Sequence, residues 1–149
     1  HRVHRRQRQM CIRDRLMSAI QSSRSPRLYI CNLMTQPGET DGLDVGGHLR
    51  AIEAQLASLG IYDRLFTAVL AQDNVESSPL VEHYRARGAE PVRCDAERLR
   101  TQGYDVTLAP LQGARPTATL RHDPRNLALA VMRFYRSHRK DQSPRERDQ

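Results

Sequence analysis

Short apolar, strand-like runs alternate with amphipathic segments along most of this chain, and this alternation constrains the fold more than any other feature. Strand-like runs are predicted at 28–34, 65–70, 91–94 and 106–109. Helical segments are predicted at 49–60, 82–87, 95–103 and 123–138. Strands that alternate with helices form βαβ units. We therefore predict an α/β, Rossmann-like fold with a mainly parallel sheet and flanking helices.

The positive charge of the chain lies at its two ends. The formal net charge is +7, of which residues 1–15 carry +5 and residues 136–149 carry +2, so that residues 16–135 are neutral. Aromatic residues make up only 5% of the chain, too few for a platform on which bases could stack. We therefore expect no nucleic-acid partner, although the charge alone would have suggested one.

The first fifteen residues differ in origin from the rest in our interpretation. Residues 5–14 match, codon by codon, the translation of a common transposon-based sequencing adapter. A natural basic arm that binds nucleic acid or anionic lipid is the alternative. We predict a non-native leader at 1–15, a folded domain at 16–138 and a disordered, charged tail at 139–149.

The three cysteines are scattered singly, without a CxxC pair. This pattern favours neither a disulfide framework nor a metal site, and it is typical of a reduced, cytoplasmic setting. Cys31 and Cys94 lie in apolar runs, so we expect them to be small buried residues, with a nucleophilic thiol as the alternative. No run of 18 apolar residues is present, so no membrane span is expected.

A polar loop with several glycines follows the first predicted strand and leads into a helix. Gly38 and Gly42 allow a close approach of the backbone and positive φ angles. The N–H groups of the following helix would favour an anion such as a phosphate. Neutral hydrogen-bonding side chains are supplied by Asn32, Thr35, Gln36 and Thr40. The loop differs from a P-loop because no Gly-Lys-Ser/Thr sequence follows it.

The charged residues near this loop each have two interpretations. Glu39 and Asp41 either cap the turn or the next helix, or contact the ligand or a cation. His48 either forms a hydrogen bond to the loop or acts as a catalytic base. No catalytic residue is assigned from the sequence.

Arg121 stands just before the last predicted helix. It could pair with Asp123 or Asp95, but an arginine before a helix N-terminus is also well placed for phosphate, which we favour. The complete predicted ligand-binding set is Asn32, Thr35, Gln36, Gly38, Glu39, Thr40, Asp41, His48 and Arg121.

Two sequence blocks carry a resemblance to a known family. The segment 29–42, followed by His48, and the block 120–123 resemble the signatures of the gluconeogenesis factor family, within the 2-phospho-L-lactate transferase-like superfamily. The resemblance spans residues 16–138. Members of that family begin with a glycine-rich nucleotide-binding turn, and none precedes Leu16, so we expect this chain to be the C-terminal half and to hold half of a binding cleft.

The resemblance implies two alternative functions. The first is a cytoplasmic factor that binds a UDP-sugar and supports cell shape and cell-wall maintenance during gluconeogenic growth. The second is a 2-phospho-L-lactate transferase-like enzyme with a nucleotide diphosphate donor. The loop 35–40 is similar to the regulatory branch, which favours binding. No cofactor beyond the UDP-sugar is expected, and homo-oligomerisation of the full-length protein stays open.

Overall fold

Apart from the strand predicted at 91–94, the elements of the chain follow one another in the predicted order. The computed structural model describes residues 19–20, 22–23, 25–74, 78, 80–113 and 119–140. The strands in this part are β1 (Leu28–Ile30), β2 (Ala68–Gln72) and β3 (Asp105–Ala109). The helices are α1 (Val45–Ala57), α2 (Val81–Arg85), α3 (Ala96–Thr101) and α4 (Pro124–Lys140). The predicted leader at 1–15 lies outside the described residues, as do residues 141–149 of the tail predicted at 139–149.

The three strands form one parallel sheet in the order β1-β2-β3. Tyr29 is in register with Val69, and Val69 with Val106. The prediction of an α/β fold with a parallel sheet is confirmed. Because the strands are parallel, all three carboxyl ends lie at one edge of the sheet, where the loop after β1 also begins.

Helices cover both faces of the sheet. Val69, on β2, belongs to a core cluster that includes Leu49 of α1 and Leu99 of α3. The next residue, Leu70, points to the opposite face and packs with Ala130 of α4. Burial on both faces explains why the central strand β2 is apolar from Ala68 to Ala71 without alternation, whereas the edge strand β3 is partly exposed. Among the described residues, no helix is both long and apolar enough to cross a bilayer.

Two of the predicted helix caps are confirmed. Asp95 accepts a hydrogen bond from the backbone N–H of Arg98 at 3.0 Å and caps α3. Asp123 accepts one from the N–H of Asn126 at 2.9 Å at the start of α4. Substituting such a cap with alanine typically costs about 0.5–2 kcal/mol of stability.

The boundaries of some elements differ from the prediction. The first strand ends at Ile30, because the chain then leaves the sheet and Met34 forms an isolated antiparallel bridge with Pro91. That bridge replaces the strand predicted at 91–94, where Pro91 lacks the N–H that a ladder needs. Helix α1 begins four residues early, at Val45, and α4 continues two residues into the predicted tail, to Lys140.

Candidate functional site

The loop after β1 is folded by its own hydrogen bonds. The N–H of Gln36 donates to Thr40 Oγ1 at 2.8 Å, and the N–H of Gly38 donates to Asp41 Oδ2 at 2.6 Å. Gly38 has a φ of +82° and Gly42 one of +68°, a region that glycine adopts without strain. Thr40 and Asp41 therefore shape the turn. Asp41 caps the turn through its Oδ2.

Thr35 joins this loop to the segment that crosses the same edge of the sheet. Its N–H donates to the carbonyl of Glu90 at 2.7 Å, and its Oγ1 accepts from the N–H of Glu90 at 2.8 Å. The residue is 5% exposed. Both polar groups of Thr35 that face the interior are thus used to hold the loop in place.

The N-terminus of α1 has partners within the chain. Asp44 caps the helix by accepting from the N–H of Gly47, and the N–H of Val45 donates to the carbonyl of Arg93 at 3.0 Å. Fewer N–H groups are therefore open to a phosphate here than the sequence predicted. The Asp44 carboxylate also makes this helix end less favourable for an anion. This cap was missed because Gly46 and Gly47 look like loop residues.

His48 lies in the first turn of α1 and is 6% exposed. Its Nδ1 is 2.8 Å from the hydroxyl of Tyr29 on β1, so its partner is a strand residue and not the loop. Burial lowers the pKa of His48 and raises the pKa of Tyr29, so both are neutral at pH 7. Nε2 of His48 is buried without a hydrogen-bond partner among the described residues. This unsatisfied nitrogen marks a place where a further polar group would stabilise the chain.

Three of the predicted ligand contacts are open to solvent. Asn32, Gln36 and Glu39 are exposed around the folded loop. Their side chains take no part in the hydrogen bonds that hold the loop together. These side chains are therefore available for an external partner, in contrast to Thr35, Thr40 and Asp41.

Arg121 is exposed at the same edge of the sheet as the loop. Its neighbours fix its place: Leu120 packs in a cluster with Met34, and His122 Nε2 lies 3.0 Å from the carbonyl oxygen of Cys31. Among the described residues Arg121 forms no ion pair with Asp123 or Asp95, whose carboxylates cap helices. Arg121 thus presents its guanidinium to solvent at the carboxyl edge.

Two clefts adjoin each other at this edge. The loop cleft, of about 250 Å³, is lined by Thr35, residues 42–44, residues 90–91 and Arg93. The strand-end cleft, of about 270 Å³, is lined by residues 72–74, residues 91–94 and Leu108. They share Pro91 and Arg93. Arg93 and Asp73 were not predicted from the sequence, although Asp73 directly follows β2, where ligands of such sheets bind.

The two described cysteines at or near the clefts are not activated as nucleophiles. Burial raises the pKa of Cys94, which lines the strand-end cleft, and raises the pKa of the fully buried Cys31 to about 12. Both thiols are therefore protonated at pH 7 and behave as small apolar side chains. In the described part of the chain, no three His, Cys, Asp or Glu side chains are grouped to hold a metal ion.

Comparison with known proteins places this arrangement in a family. Residues 10–112 match the family 2-phospho-L-lactate transferase CofD. The gluconeogenesis factor of Halalkalibacterium halodurans is 32% identical over 117 residues, which cover 78% of this chain and 34% of that protein. A relative from Nostoc sp., whose name also describes it as a gluconeogenesis factor, is 36% identical over 120 residues. These residues cover 80% of this chain and 25% of that protein.

A solved structure agrees with the sequence matches. The crystal structure of a Bacillus halodurans protein of the UPF0052 family superimposes with a TM-score of 0.64 at 30% identity, covering 78% of this chain and 35% of that one. The chain therefore spans about a quarter to a third of the length of the relatives it matches. On the family match over residues 10–112, the chain belongs to the 2-phospho-L-lactate transferase CofD family.

Proposed function

We propose that this chain supplies part of the nucleotide-sugar site of a gluconeogenesis factor, a cytoplasmic protein that binds a UDP-sugar and supports cell shape and cell-wall maintenance during gluconeogenic growth. One observation carries the proposal: the glycine-bearing loop and two adjoining clefts lie at the carboxyl edge of a parallel sheet. Arg121 lines neither cleft but is exposed at the same edge, next to His122, which meets the carbonyl of Cys31 after β1. Doubly wound folds bind their ligands at this edge. Two relatives whose names describe them as gluconeogenesis factors support the link to gluconeogenesis.

The chemistry of the edge suits a phosphorylated sugar. Arg121 and Arg93 supply planar guanidinium groups that match phosphate oxygens. Asn32, Gln36 and Glu39 supply exposed amide and carboxylate groups that can bond sugar hydroxyls. Such a mixed site binds a neutral sugar that carries a diphosphate better than a purely anionic ligand.

Binding is favoured over catalysis by the groups that surround the clefts. Two thiols with raised pKa values and a histidine buried against Tyr29 are poor candidates for a nucleophile and a base. The alternative is a 2-phospho-L-lactate transferase-like enzyme with a nucleotide diphosphate donor, which the family match favours. An assay for turnover of such a donor, measured as release of the nucleotide, distinguishes the binding protein from the enzyme.

The test of the proposal is Arg121→Ala in calorimetric titrations with a UDP-sugar. Losing a charge-assisted hydrogen bond costs about 1.5–3 kcal/mol, so the affinity should fall roughly 10- to 150-fold. The matched control is Arg133→Ala, an exposed arginine in the middle of α4, which should leave the affinity unchanged. Equal affinities for the wild type and Arg121→Ala, with the fold intact, would contradict the assignment.

A further inference from the structure

Helix α4 carries apolar side chains on two opposite faces. Leu127, Ala130 and Val131 pack in the core cluster that lies on the sheet. Residues two positions apart in a helix are separated by about 200° around its axis, so they point in nearly opposite directions. Leu129 and Met132 each lie two positions from a core residue, and they are 49% and 47% exposed. A second apolar surface of α4 therefore faces away from the sheet.

Arginines extend this second surface in both directions along the helix. Arg125 and Arg136 are exposed and continue the spacing of Leu129 and Met132, at steps of three and four residues. Arg133 is exposed beside them. Within the described part of the chain, none of the three arginines forms an ion pair. We call the surface formed by Arg125, Leu129, Met132 and Arg136 the outer stripe.

The charge of α4 has one sign. Residues 124–140 contain five Arg or Lys residues and no Asp or Glu. Two acidic side chains contact the helix near its ends: Asp123 caps it, and Asp105 lies 3.2 Å from His138. Neither lies within the outer stripe. An apolar centre with arginines at both ends is complementary to a partner with an apolar centre and acidic flanks.

A larger sheet would not cover the outer stripe. Strands added at an edge of a parallel sheet bring their helices into the layer of α4, where they lie beside it. The outer stripe points in the opposite direction from the sheet, because Leu129 and Met132 lie opposite the core residues of the same helix. An occupant of the stripe therefore lies outside the layers formed by the sheet and its helices.

Two other occupants are less complementary to the outer stripe. In a symmetric pair of copies with antiparallel helices, Arg125 of one copy would meet Arg136 of the other, and like charges repel. A bilayer offers anionic headgroups, but the larger apolar face of α4 is used on the sheet. Leu129 and Met132 alone would insert little apolar area into a membrane.

We propose that the outer stripe is a docking surface for an acidic amphipathic helix of a partner protein. The seventeen residues of α4 span about 25 Å, and side chains at steps of three and four residues form the ridges along which helices pack. Apolar side chains of the partner cover Leu129 and Met132, and its carboxylates pair with Arg125 and Arg136. The stripe includes no residue of the nucleotide-sugar site, so this inference is independent of the proposed function.

Fluorescence anisotropy with a labelled peptide tests the docking. The probe is a synthetic helix of about 20 residues, long enough to be helical alone, with leucines at steps of three and four and glutamates on both sides. The control peptide has lysines in place of the glutamates. The 149-residue chain should bind the acidic peptide and not the lysine peptide, and binding should weaken as salt is added. Binding of neither peptide, or equal binding of both, would overturn the proposal.

Charge-reversal and polar variants locate the peptide on α4. Arg136→Glu should weaken binding of the acidic peptide at least about tenfold, because it sets like charges against each other. Met132→Glu should weaken it by a similar factor, because it removes an apolar contact and adds a charge of the wrong sign. The matched controls are Arg87→Glu, after α2, and Ala54→Glu, on α1, which are exposed and should leave binding unchanged. Equal losses in the variants and their controls would place the peptide elsewhere and overturn the proposal.

Two further measurements test the other occupants. Co-sedimentation with phosphatidylglycerol vesicles that Arg136→Glu abolishes would assign the stripe to a membrane surface and overturn the proposal. A dimer in sedimentation velocity that Met132→Glu dissociates would assign the stripe to a second copy and also overturn it. The expected result is a chain that binds the acidic peptide, does not bind the vesicles and does not associate through α4.

Discussion

The two adjoining clefts differ in how they are built. The loop cleft is formed by a contiguous motif, and several of its polar side chains, such as Thr35, Thr40 and Asp41, are used to fold the loop. The strand-end cleft has no motif: its walls come from three separate segments, and a hydrogen-bond chain from α4 holds its polar rim. A recognisable motif can thus mark the architecture of a site, whereas the groups open to a ligand lie on ordinary strand ends.

The largest effect that this comparison predicts is at Thr35. Replacing Thr35 with valine leaves the N–H of Glu90 without its acceptor in a buried position, which should lower the free energy of unfolding by about 1–3 kcal/mol. Thr40→Val removes a similar bond, to the N–H of Gln36, at an exposed position where water replaces it. Its cost should stay below about 1 kcal/mol. Urea unfolding of both variants measures the difference, and equal losses would show that Thr35 is not the anchor of the loop.

A smaller, pH-dependent effect is expected at His48, beneath the loop. Burial lowers the pKa of His48 in the folded chain, so the unfolded chain takes up a proton first as the pH falls below about 6.5. The stability contributed by neutral His48 is complete above that pH and is lost as the pH falls towards the folded pKa. One proton limits the slope to about 1.4 kcal/mol per pH unit.

Unfolding at several pH values between 5 and 8 measures this slope. His48→Phe, which removes the titrating group, should flatten the pH dependence in that window. The control is His83→Phe, an exposed histidine of α2, which should leave the slope as it is. A slope that is the same in His48→Phe and in the wild type would assign the pH dependence to other groups.

Local patterns in the sequence predicted much of the fold. The caps Asp95 and Asp123 were identified because an aspartate before an amphipathic run has a local meaning. The contacts that complete the site are non-local. His48 meets Tyr29 across 19 residues, and Gln72 meets the N–H of Gln112 across 40. No periodicity encodes such pairs, because they depend on how the elements pack.

The same distinction explains what was predicted of the candidate site. The glycines of the loop were identified through their backbone freedom, and they do have positive φ angles. Which polar side chains stay open, as Gln36 does, and which are used internally, as Thr40 is, depends on the turn that the loop adopts. The strand-end cleft brings residues 72–74 together with residues 91–94 and Leu108, and it becomes visible only once the pairing of β2 with β3 is known.

The central claim, that one nucleotide-sugar site spans both clefts at the carboxyl edge, is tested most directly by amide NMR shifts on titration with a UDP-sugar. Glycines at both edges of the sheet serve as reporters. Gly38 and Gly42 lie in the loop, whereas Gly60 and Gly103 lie in the connections at the opposite edge. The account predicts shifts at Gly38, Gly42 and residues 72–74, with Gly60 and Gly103 unchanged. Shifts confined to Gly60 and Gly103, or no shift at a saturating concentration, would contradict it.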